Sequence, residues 1–583
     1  MSDRSSLNPA QRATALADAA EQEFDVIVIG GGITGVGAAL DAVSRGLSVA
    51  LFEKGDLASG TSSRSGKVFH GGLRYLEQLN FSLVREALTE RDLMVDRLCP
   101  HLVSPERFLF PFTRRWERPY IGSGVLLYDL LRLTGTRSVA GHRHLSRRGV
   151  LREMPALRTD VTGGVQYYDV RVDDARHTMS VARTAARLGA RIVTRAPVVG
   201  VLTEPNGASG AQCVPNAPFG SSAGRVSGVR VRDADTGDEV SVRGRTVVSA
   251  TGVWAEDVQS LAGESSISVT AAKGIHLVVP GDRIDSATGM IAKTSDSVFI
   301  IRRWFDYWLM GTTDTRWDAD RDDPAATKAD VDYLLGHANR WLRTPLSYED
   351  VVGVYAGLRP LVSGKGSGAA ATAALSRDHA VLEGPRGMFS VVGGKYTTYR
   401  IMARDAVDAV ASRLGRVVPG SVTERLPILG ATGYPALRNQ LTSLAAESGL
   451  PESTLEHLLG RFGALTTELL DLIADRPSLG EPVSGAPGYL AAELHYAAAH
   501  EGALTLDDVL VRRTRVFMET PDRGVAAASH AADVVGDVLG WDDVRRKEEV
   551  ERYRVERQAD ARAATAASDS AAVQARHAAR STP

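Results

Sequence analysis

Between residues 24 and 53 an apolar run, a glycine-rich turn, a helical period and a second apolar run ending on an acid follow one another. Phe24-Asp25-Val26-Ile27-Val28-Ile29 reads as a buried strand. Gly30-Gly31-Gly32-Ile33-Thr34-Gly35 follows at once, and Val36, Ala39, Leu40 and Val43 then recur at helical spacing. Gly46 suits the carboxyl end of that helix, and residues 47–52 form a second strand that stops at Glu53. Strand, turn, helix, strand is a βαβ unit, which commits the chain to a parallel sheet with helices on its faces.

Gly30-x-Gly32-x-x-Gly35 has the spacing of a dinucleotide fingerprint. The first glycine permits a tight turn, the second lets backbone approach a pyrophosphate, and the third packs helix on strand. The helix amino terminus supplies N–H donors and the positive end of a dipole. Glu53 stands where a carboxylate accepts hydrogen bonds from a ribose diol. The fingerprint alone does not separate FAD from NAD.

The chain has 583 residues, a formal net charge of -2 and 24% charged residues. That is the composition of a folded protein, and the charge balance gives no global attraction to nucleic acid. Cys99 and Cys213 cannot build a disulfide framework, which fits a reducing cytoplasm, and no metal-ligand spacing appears. The amino terminus lacks the apolar run of a signal peptide, and no transmembrane helix is expected.

From the residues alone the expected fold is α/β: a Rossmann-like domain on the βαβ unit, a second sheet-like region over about 266–315 and an all-helical C-terminal domain. Residues 1–22 read as a polar lead. A hairpin tip is expected at 302–307. Helical spacing dominates 421–558, while 559–583 is Ala, Ser and Arg-rich and is expected to be disordered. Residues 205–224 read as a mobile insertion. Arg512-Arg513-Thr514-Arg515 and the run 545–557 read as solvated charge, the latter with Glu548 and Arg552 as an i,i+4 pair.

After the βαβ unit, Thr61-Ser62-Ser63-Arg64-Ser65-Gly66-Lys67-Val68-Phe69-His70-Gly71-Gly72-Leu73-Arg74-Tyr75 gathers hydroxyls, glycines and cations. Later blocks are Val172-Asp173-Asp174-Ala175-Arg176, Ala250-Thr251-Gly252-x-Trp254 and Lys273-Gly274-x-His276. Gly311-Thr312-Thr313-Asp314, Gly357-Leu358-Arg359-Pro360 and Gly393-Gly394-Lys395-x-Thr397-Thr398-Tyr399-Arg400 complete the series. In this order the blocks resemble the FAD-dependent glycerol-3-phosphate dehydrogenase family, within the D-amino-acid-oxidase-like flavoproteins. His-Gly-Gly-Leu-Arg-Tyr and Gly-Gly-Lys-x-Thr-Thr-Tyr-Arg are the most specific of them.

The resemblance implies a Rossmann-like cofactor domain with an antiparallel-sheet substrate domain over residues 23–420, the cofactor part discontinuous over about 23–80, 160–262 and 350–420 and the substrate part over about 81–159 and 263–349. It also implies FAD as cofactor and hydride transfer from sn-glycerol 3-phosphate, giving dihydroxyacetone phosphate, with a membrane quinone as electron acceptor. Gly30, Gly32, Thr34, Gly35, Glu53, Thr61, Ser62, Lys67, Gly71, Gly72, Ala250, Thr251, Gly252, Gly393, Gly394 and Thr397 are the expected cofactor residues. Arg359 and Arg74 are candidates for the substrate phosphate, because a guanidinium fork makes paired hydrogen bonds. His276 and His70 are candidate bases, and Lys395 is a candidate for the substrate oxygen or the flavin carbonyl edge. Residues 107–133 mix aromatics, aliphatics and arginines, which suits either a headgroup interface or a cap of the substrate domain. A cytoplasmic enzyme peripheral to the inner membrane face is expected, with homo-oligomerisation open. Three alternatives stand beside this reading: an oxidase using dioxygen, an amine or amino-acid oxidase on the same fold, and a flavin-binding scaffold without activity.

Overall fold

The unit read from residues 24–53 is the centre of the first sheet. Strand Glu23–Ile29 pairs in parallel with Val49–Phe52 on one side and Glu239–Ser249 on the other. Arg191–Val193 extends the sheet beyond Val49–Phe52, and Met388–Gly393 extends it beyond Glu239–Ser249, both parallel. A computed structural model describes residues 4–77, 79–131, 139–204, 225–263, 265–294, 298–364 and 378–580, with the backbone alone at Arg74, Glu77, Ser363, Gly364, Ala579 and Arg580. Cys213 and the insertion 205–224 lie outside these residues.

Helices Ile33–Ser44, Asp174–Arg187 and Tyr399–Ala411 cover this sheet. Val26, Val28, Val36, Leu40, Met179 and Val407 form the core between them, each almost wholly removed from water. Gly46 takes a φ of +83° just past the first helix, the left-handed conformation that ends a helix cheaply only in glycine. Five strands thus run the same way, and their carboxyl ends bring Gly30, Glu53, Thr194, Ala250 and Gly394 to one edge. In open α/β sheets that edge is where ligands bind.

The second sheet is largely antiparallel, with the order Thr315–Trp317, Ile267–Pro280, Tyr307–Gly311, Val298–Trp304, Gly289–Lys293, Val103–Phe112, Gly163–Val172, Val68–Phe69. Gly353–Gly364 pairs with Ile267–Pro280 off this path. The hairpin expected at 302–307 is present, with Trp304 opposite Tyr307. Residues 107–112 belong to a strand of this sheet, so the start of the aromatic and arginine-rich stretch is built into the substrate domain.

The domain boundaries expected from the sequence need correction. Val68–Phe69, Gly163–Val172 and Gly353–Gly364 were assigned to the cofactor part, yet all three pair in the second sheet. A strand's apolar pattern reports burial and not which sheet it joins. The polar lead contains helix Pro9–Glu21, capped by Asn8 and tied by Arg12 to Asp233 at 2.8 Å.

The tail is the larger correction. Helix Asp543–Ala563 continues past 558, and Asp569–Arg580 is a further helix. Ala563, Ala572 and Val573 pack against Val253, Trp317 and Leu358. Arg576 pairs with Asp560 and with Asp323, and Asp569 reaches the buried Lys273 at 2.5 Å. Alanine carries little apolar bulk, so its sequence resembles a disordered segment, but it is also the best helix former.

The arginines of 512–515 are likewise buried contacts, while most of the run 545–557 faces solvent as expected. Arg512 and Arg513 both clasp Asp56, at 2.5 and 2.6 Å, and Arg515 clasps Asp173 and Asp174 at 2.5 and 2.6 Å. In helix Asp543–Ala563 it is Glu549, not Glu548, that pairs with Arg552, and Glu549, Tyr553 and Arg557 are buried. The C-terminal domain is therefore joined to the cofactor domain through its arginines.

Candidate active site

The glycine turn is shaped by contacts that leave no room for side chains. A Cβ on Gly30 would stand 2.7 Å from the Ala250 carbonyl oxygen, and one on Gly35 would stand 1.9 Å from the Gly30 carbonyl oxygen. Gly30 also has a φ of +107°. Strand, helix and the 250–252 turn thus meet at van der Waals distance. Gly32 differs: a Cβ there would meet only Ser62 Oγ, at 3.2 Å, and Gly30, Gly32 and Thr34 are the partly exposed members of a turn whose other residues are buried. Gly32 caps helix Ile33–Ser44 without a side-chain hydrogen bond, so the dipole's positive end faces this opening. Ser62 Oγ accepts the Ile33 N–H at 2.9 Å.

Glu53 is held by two amides, Gly31 N–H on Oε2 at 2.6 Å and Gly55 N–H on Oε1 at 2.8 Å. Burial raises its pKa, and those two donors oppose the rise. Both oxygens keep a lone pair for a further donor. Open helix terminus, fixed acid and closely packed glycines fit an extended dinucleotide laid across the carboxyl edge of the sheet.

The early and late motif loops touch each other. His70 N–H donates to Thr397 Oγ1 at 3.2 Å, and Lys395 Nζ lies 3.6 Å from the centroid of the Tyr75 ring. Gly72, Gly393 and Gly394 all have positive φ, which other residues take only under strain. Gly71 N–H donates to the Tyr128 hydroxyl at 2.8 Å, which donates to Asp169 at 2.7 Å, and Asp169 pairs with Arg91. This buried chain fixes the backbone of the 70–72 turn.

A second group occupies one face of the strand pair Ile267–Pro280 and Gly353–Gly364. His276 is opposite Tyr355, Gly274 opposite Gly357, and Ala272 opposite Arg359, three successive pairs on the same side of the sheet. The glycine pair leaves a gap between histidine and arginine. Arg359 fills part of it, since a Cβ on Gly274 would stand 2.5 Å from its Nη2. Its Nη2 donates to Thr312 Oγ1 at 2.9 Å, and its Nη1 donates to the Thr313 carbonyl at 3.1 Å and to Asp314 at 3.2 Å. A quarter of the side chain, 26%, stays exposed. His276 stacks on Tyr355 with ring centroids 4.9 Å apart, and its buried Nδ1 has no hydrogen-bond partner among the described residues. Burial, then the charges of Arg359, Lys67 and Arg302, pull its pKa down to about 3, so the imidazole is neutral.

The expected residues therefore fall into distinct groups. Gly30, Gly32, Thr34, Gly35, Glu53, Ser62, Ala250, Thr251 and Gly252 surround the glycine turn. His70, Gly71, Gly72, Gly393, Gly394, Lys395 and Thr397 form the joined loops, while His276 and Arg359 share the sheet face. Arg74 lies in the short helix Arg74–Glu77, and its side chain lies outside the described residues. Thr61 donates its hydroxyl to the Leu358 carbonyl at 2.5 Å. Lys67 is placed elsewhere than expected: its amine is fully buried and pairs with Asp174 at 2.7 Å. Burial and the like charge of Arg515 bring its pKa down to about 8 while Asp174 opposes them.

Asp174 was quoted in the sequence blocks without a role. It accepts the N–H and hydroxyl of Ser65, at 2.9 and 2.7 Å, as well as Lys67 and Arg515. It thus ties the early motif loop, the helix Asp174–Arg187 and the C-terminal domain to one carboxylate. Tyr355 and Tyr128 were also missed, because an isolated tyrosine in a strand or helix gives no signal beyond packing.

Residues 25–400 match the family of FAD dependent oxidoreductases, and residues 421–546 match the C-terminal domain of alpha-glycerophosphate oxidase. The glycerol-3-phosphate dehydrogenase 2 of Mycobacterium tuberculosis (strain H37Rv) is 51% identical over 94% of this chain and 90% of its own length. The human mitochondrial glycerol-3-phosphate dehydrogenase is 32% identical over 94% of this chain and 75% of its own. The solved structure of the glycerol-3-phosphate dehydrogenase from Bacillus halodurans complexed with FAD superposes with a TM-score of 0.75 at 26% identity, covering 94% of this chain and 98% of that one. With a dinucleotide-type glycine turn, a largely antiparallel second sheet and a matching helical C-terminal domain, the chain belongs to the FAD-dependent oxidoreductases, in the glycerol-3-phosphate dehydrogenase family.

Proposed function

We propose that this flavoenzyme oxidises sn-glycerol 3-phosphate to dihydroxyacetone phosphate and passes the electrons to a membrane quinone. The reading rests on one observation above the others: a guanidinium and a neutral imidazole share one sheet face, separated by a glycine pair. FAD, when bound, supplies the acceptor for a hydride. Arg359 holds the phosphate dianion through its fork, with Thr312 and Asp314 fixing the direction of that fork. His276 takes the hydroxyl proton at a ring nitrogen, and Tyr355 keeps the ring plane in register. Lys395, beside Tyr75, places positive charge at the late glycine turn. The buried chain behind Gly71 keeps the 70–72 turn rigid, which the close alignment of reacting atoms demands.

A steady-state assay with glycerol 3-phosphate tests this reading. Reduction of a short-chain quinone with little peroxide supports it, and peroxide in step with substrate moves the acceptor to dioxygen. Absence of turnover with either acceptor overturns it.

A quinone acceptor asks for a membrane surface. Among the described residues no helix is long and apolar enough to cross a membrane. Helix Glu117–Leu130 buries Val125 and Tyr128, while Trp116, just before it, and Tyr120, Leu126 and Leu130 are 57, 55, 50 and 49% exposed. Arg114, Arg115 and Arg118 are exposed at the same end. Aromatic and aliphatic side chains beside arginines suit an anionic headgroup layer. Replacing Trp116, Tyr120, Leu126 and Leu130 by serine should weaken binding to anionic vesicles by at least ~10-fold and leave dye-linked activity in solution unchanged. Unaltered vesicle binding in a flotation assay would remove this helix from the membrane contact.

A further inference from the structure

Helix Asp569–Arg580 and the segment after strand Thr315–Trp317 bring three metal-ligating side chains to one point. His577 Nε2 stands 3.0 Å from Asp320 Oδ2 and 3.2 Å from Asp323 Oδ2, and the three atoms lie within 4.8 Å of one another. Two carboxylates thus converge on a single ring nitrogen. One N–H aims well at only one of them, and the other keeps its charged oxygen beside a like charge.

Both carboxylates are held from behind. Asp320 Oδ1 accepts the Asp322 N–H at 2.9 Å, and Asp323 Oδ1 accepts the Arg576 Nε–H at 3.3 Å. Each therefore turns Oδ2 toward the imidazole with its other oxygen already engaged, the support that metal-binding carboxylates commonly have. Asp323 is fully buried, whereas His577 and Asp320 are 48 and 39% exposed, so the cluster has a protected floor and an open mouth. Contacts outside the cluster set the two segments in register. Ala572 and Val573 share a core with Trp317 and Ala325, and the Lys328 N–H donates to the Ala566 carbonyl at 3.0 Å.

We propose that Asp320, Asp323 and His577 bind a divalent transition-metal ion, Zn²⁺, which fastens the terminal helix to segment 317–325. Bonds of about 2.0–2.1 Å at tetrahedral angles separate ligand atoms by about 3.3 Å, close to the two spacings from the ring nitrogen. One imidazole nitrogen with two carboxylate oxygens suits zinc better than calcium or magnesium, which favour all-oxygen shells. Two carboxylates and a neutral imidazole also balance a doubly charged ion. Water takes the fourth position from the exposed side. The cluster contains none of the residues assigned above to FAD or substrate, so the ion's work is structural. Arg576, next to His577, lines a chamber of about 540 Å³ together with Asp322, Ala325, Lys54 and Trp254, at the carboxyl edge of the parallel sheet. Fastening the helix therefore fixes one wall of that chamber.

Zinc chloride titrated calorimetrically into the FAD-loaded, full-length protein, freed of metal beforehand, tests the proposal. One site is expected, and His577→Gln should weaken it at least tenfold. Asp320→Asn lies outside the helix and should also weaken it at least tenfold, which keeps the test intact if a change at 577 perturbs the helix itself. Zinc at ten times its Kd should slow amide hydrogen exchange in Asp569–Arg580 about tenfold in wild type, by linkage to helix opening, and should leave exchange in His577→Gln unchanged. Magnesium at the same concentration should not reproduce the effect. His577→Lys keeps a cation between the carboxylates and should lose the response to zinc. Zinc affinity unchanged by His577→Gln and Asp320→Asn, or wild-type exchange that ignores zinc while His577→Lys protects the helix equally well, overturns the proposal in favour of a plain ion pair.

Discussion

Arg359→Ala is expected to lower kcat/KM for glycerol 3-phosphate about a thousandfold, which is ~4 kcal/mol of transition-state stabilisation. The loss is large because the guanidinium is aimed. Thr312 Oγ1, the Thr313 carbonyl and Asp314 hold three of its donor directions, so the phosphate meets a fork that needs no reorganisation. Arg359→Lys should recover only part of the rate, since an ammonium offers a point charge in place of paired donors. FAD content and the visible spectrum of both variants should match wild type, because Arg359 stands on the substrate sheet, away from the glycine turn. Wild-type kcat/KM in the alanine variant would take Arg359 out of the site.

Asp174→Ala should lower the free energy of unfolding by roughly 3–5 kcal/mol, the range for leaving buried charges without their partner. Lys67 loses its carboxylate partner there and Arg515 loses one of its two, and neither side chain has access to water. Asp173 remains for Arg515, at 2.5 Å, which limits the loss on that side. Ser65 loses both of its hydrogen bonds to the carboxylate, so the 61–67 loop is released as well. FAD should then dissociate at least ~10-fold more readily, a change of about 1.4 kcal/mol. Asp174→Asn, which keeps acceptor oxygen and shape, should fall between the two. Urea unfolding followed by tryptophan emission, with flavin fluorescence for release, measures both effects. A variant as stable and as well loaded as wild type would show that the carboxylate is not the tie between loop and C-terminal domain.

The parts legible in the sequence are those encoded by neighbours in the chain. The βαβ unit lies within thirty or so residues, its glycines have fixed offsets, and each is required by a close approach visible in the fold: Gly35 on Gly30, Gly30 on Ala250. His276 and Arg359 could be named as candidates, but not their common face, which depends on a register between strands some eighty residues apart. The arginines of 512–515 looked solvated because their acids are Asp56, Asp173 and Asp174, more than three hundred residues earlier. No local pattern separates a buried arginine with distant partners from an exposed one. Lys67 misled for the same reason: lysine beside serine and glycine suggests a phosphate, yet its amine is committed to Asp174. The terminal helix was missed because its packing face consists of alanine and one valine, too little bulk to register as a core.

An anaerobic absorbance spectrum of the FAD-loaded protein, before and after one equivalent of glycerol 3-phosphate, tests most directly whether Arg359 and His276 present this substrate to the flavin. Bleaching of the flavin band is expected, complete in wild type and strongly slowed in Arg359→Ala and His276→Gln. An oxidised spectrum that stays unchanged in the wild-type protein, with FAD fully bound, would contradict the assignment.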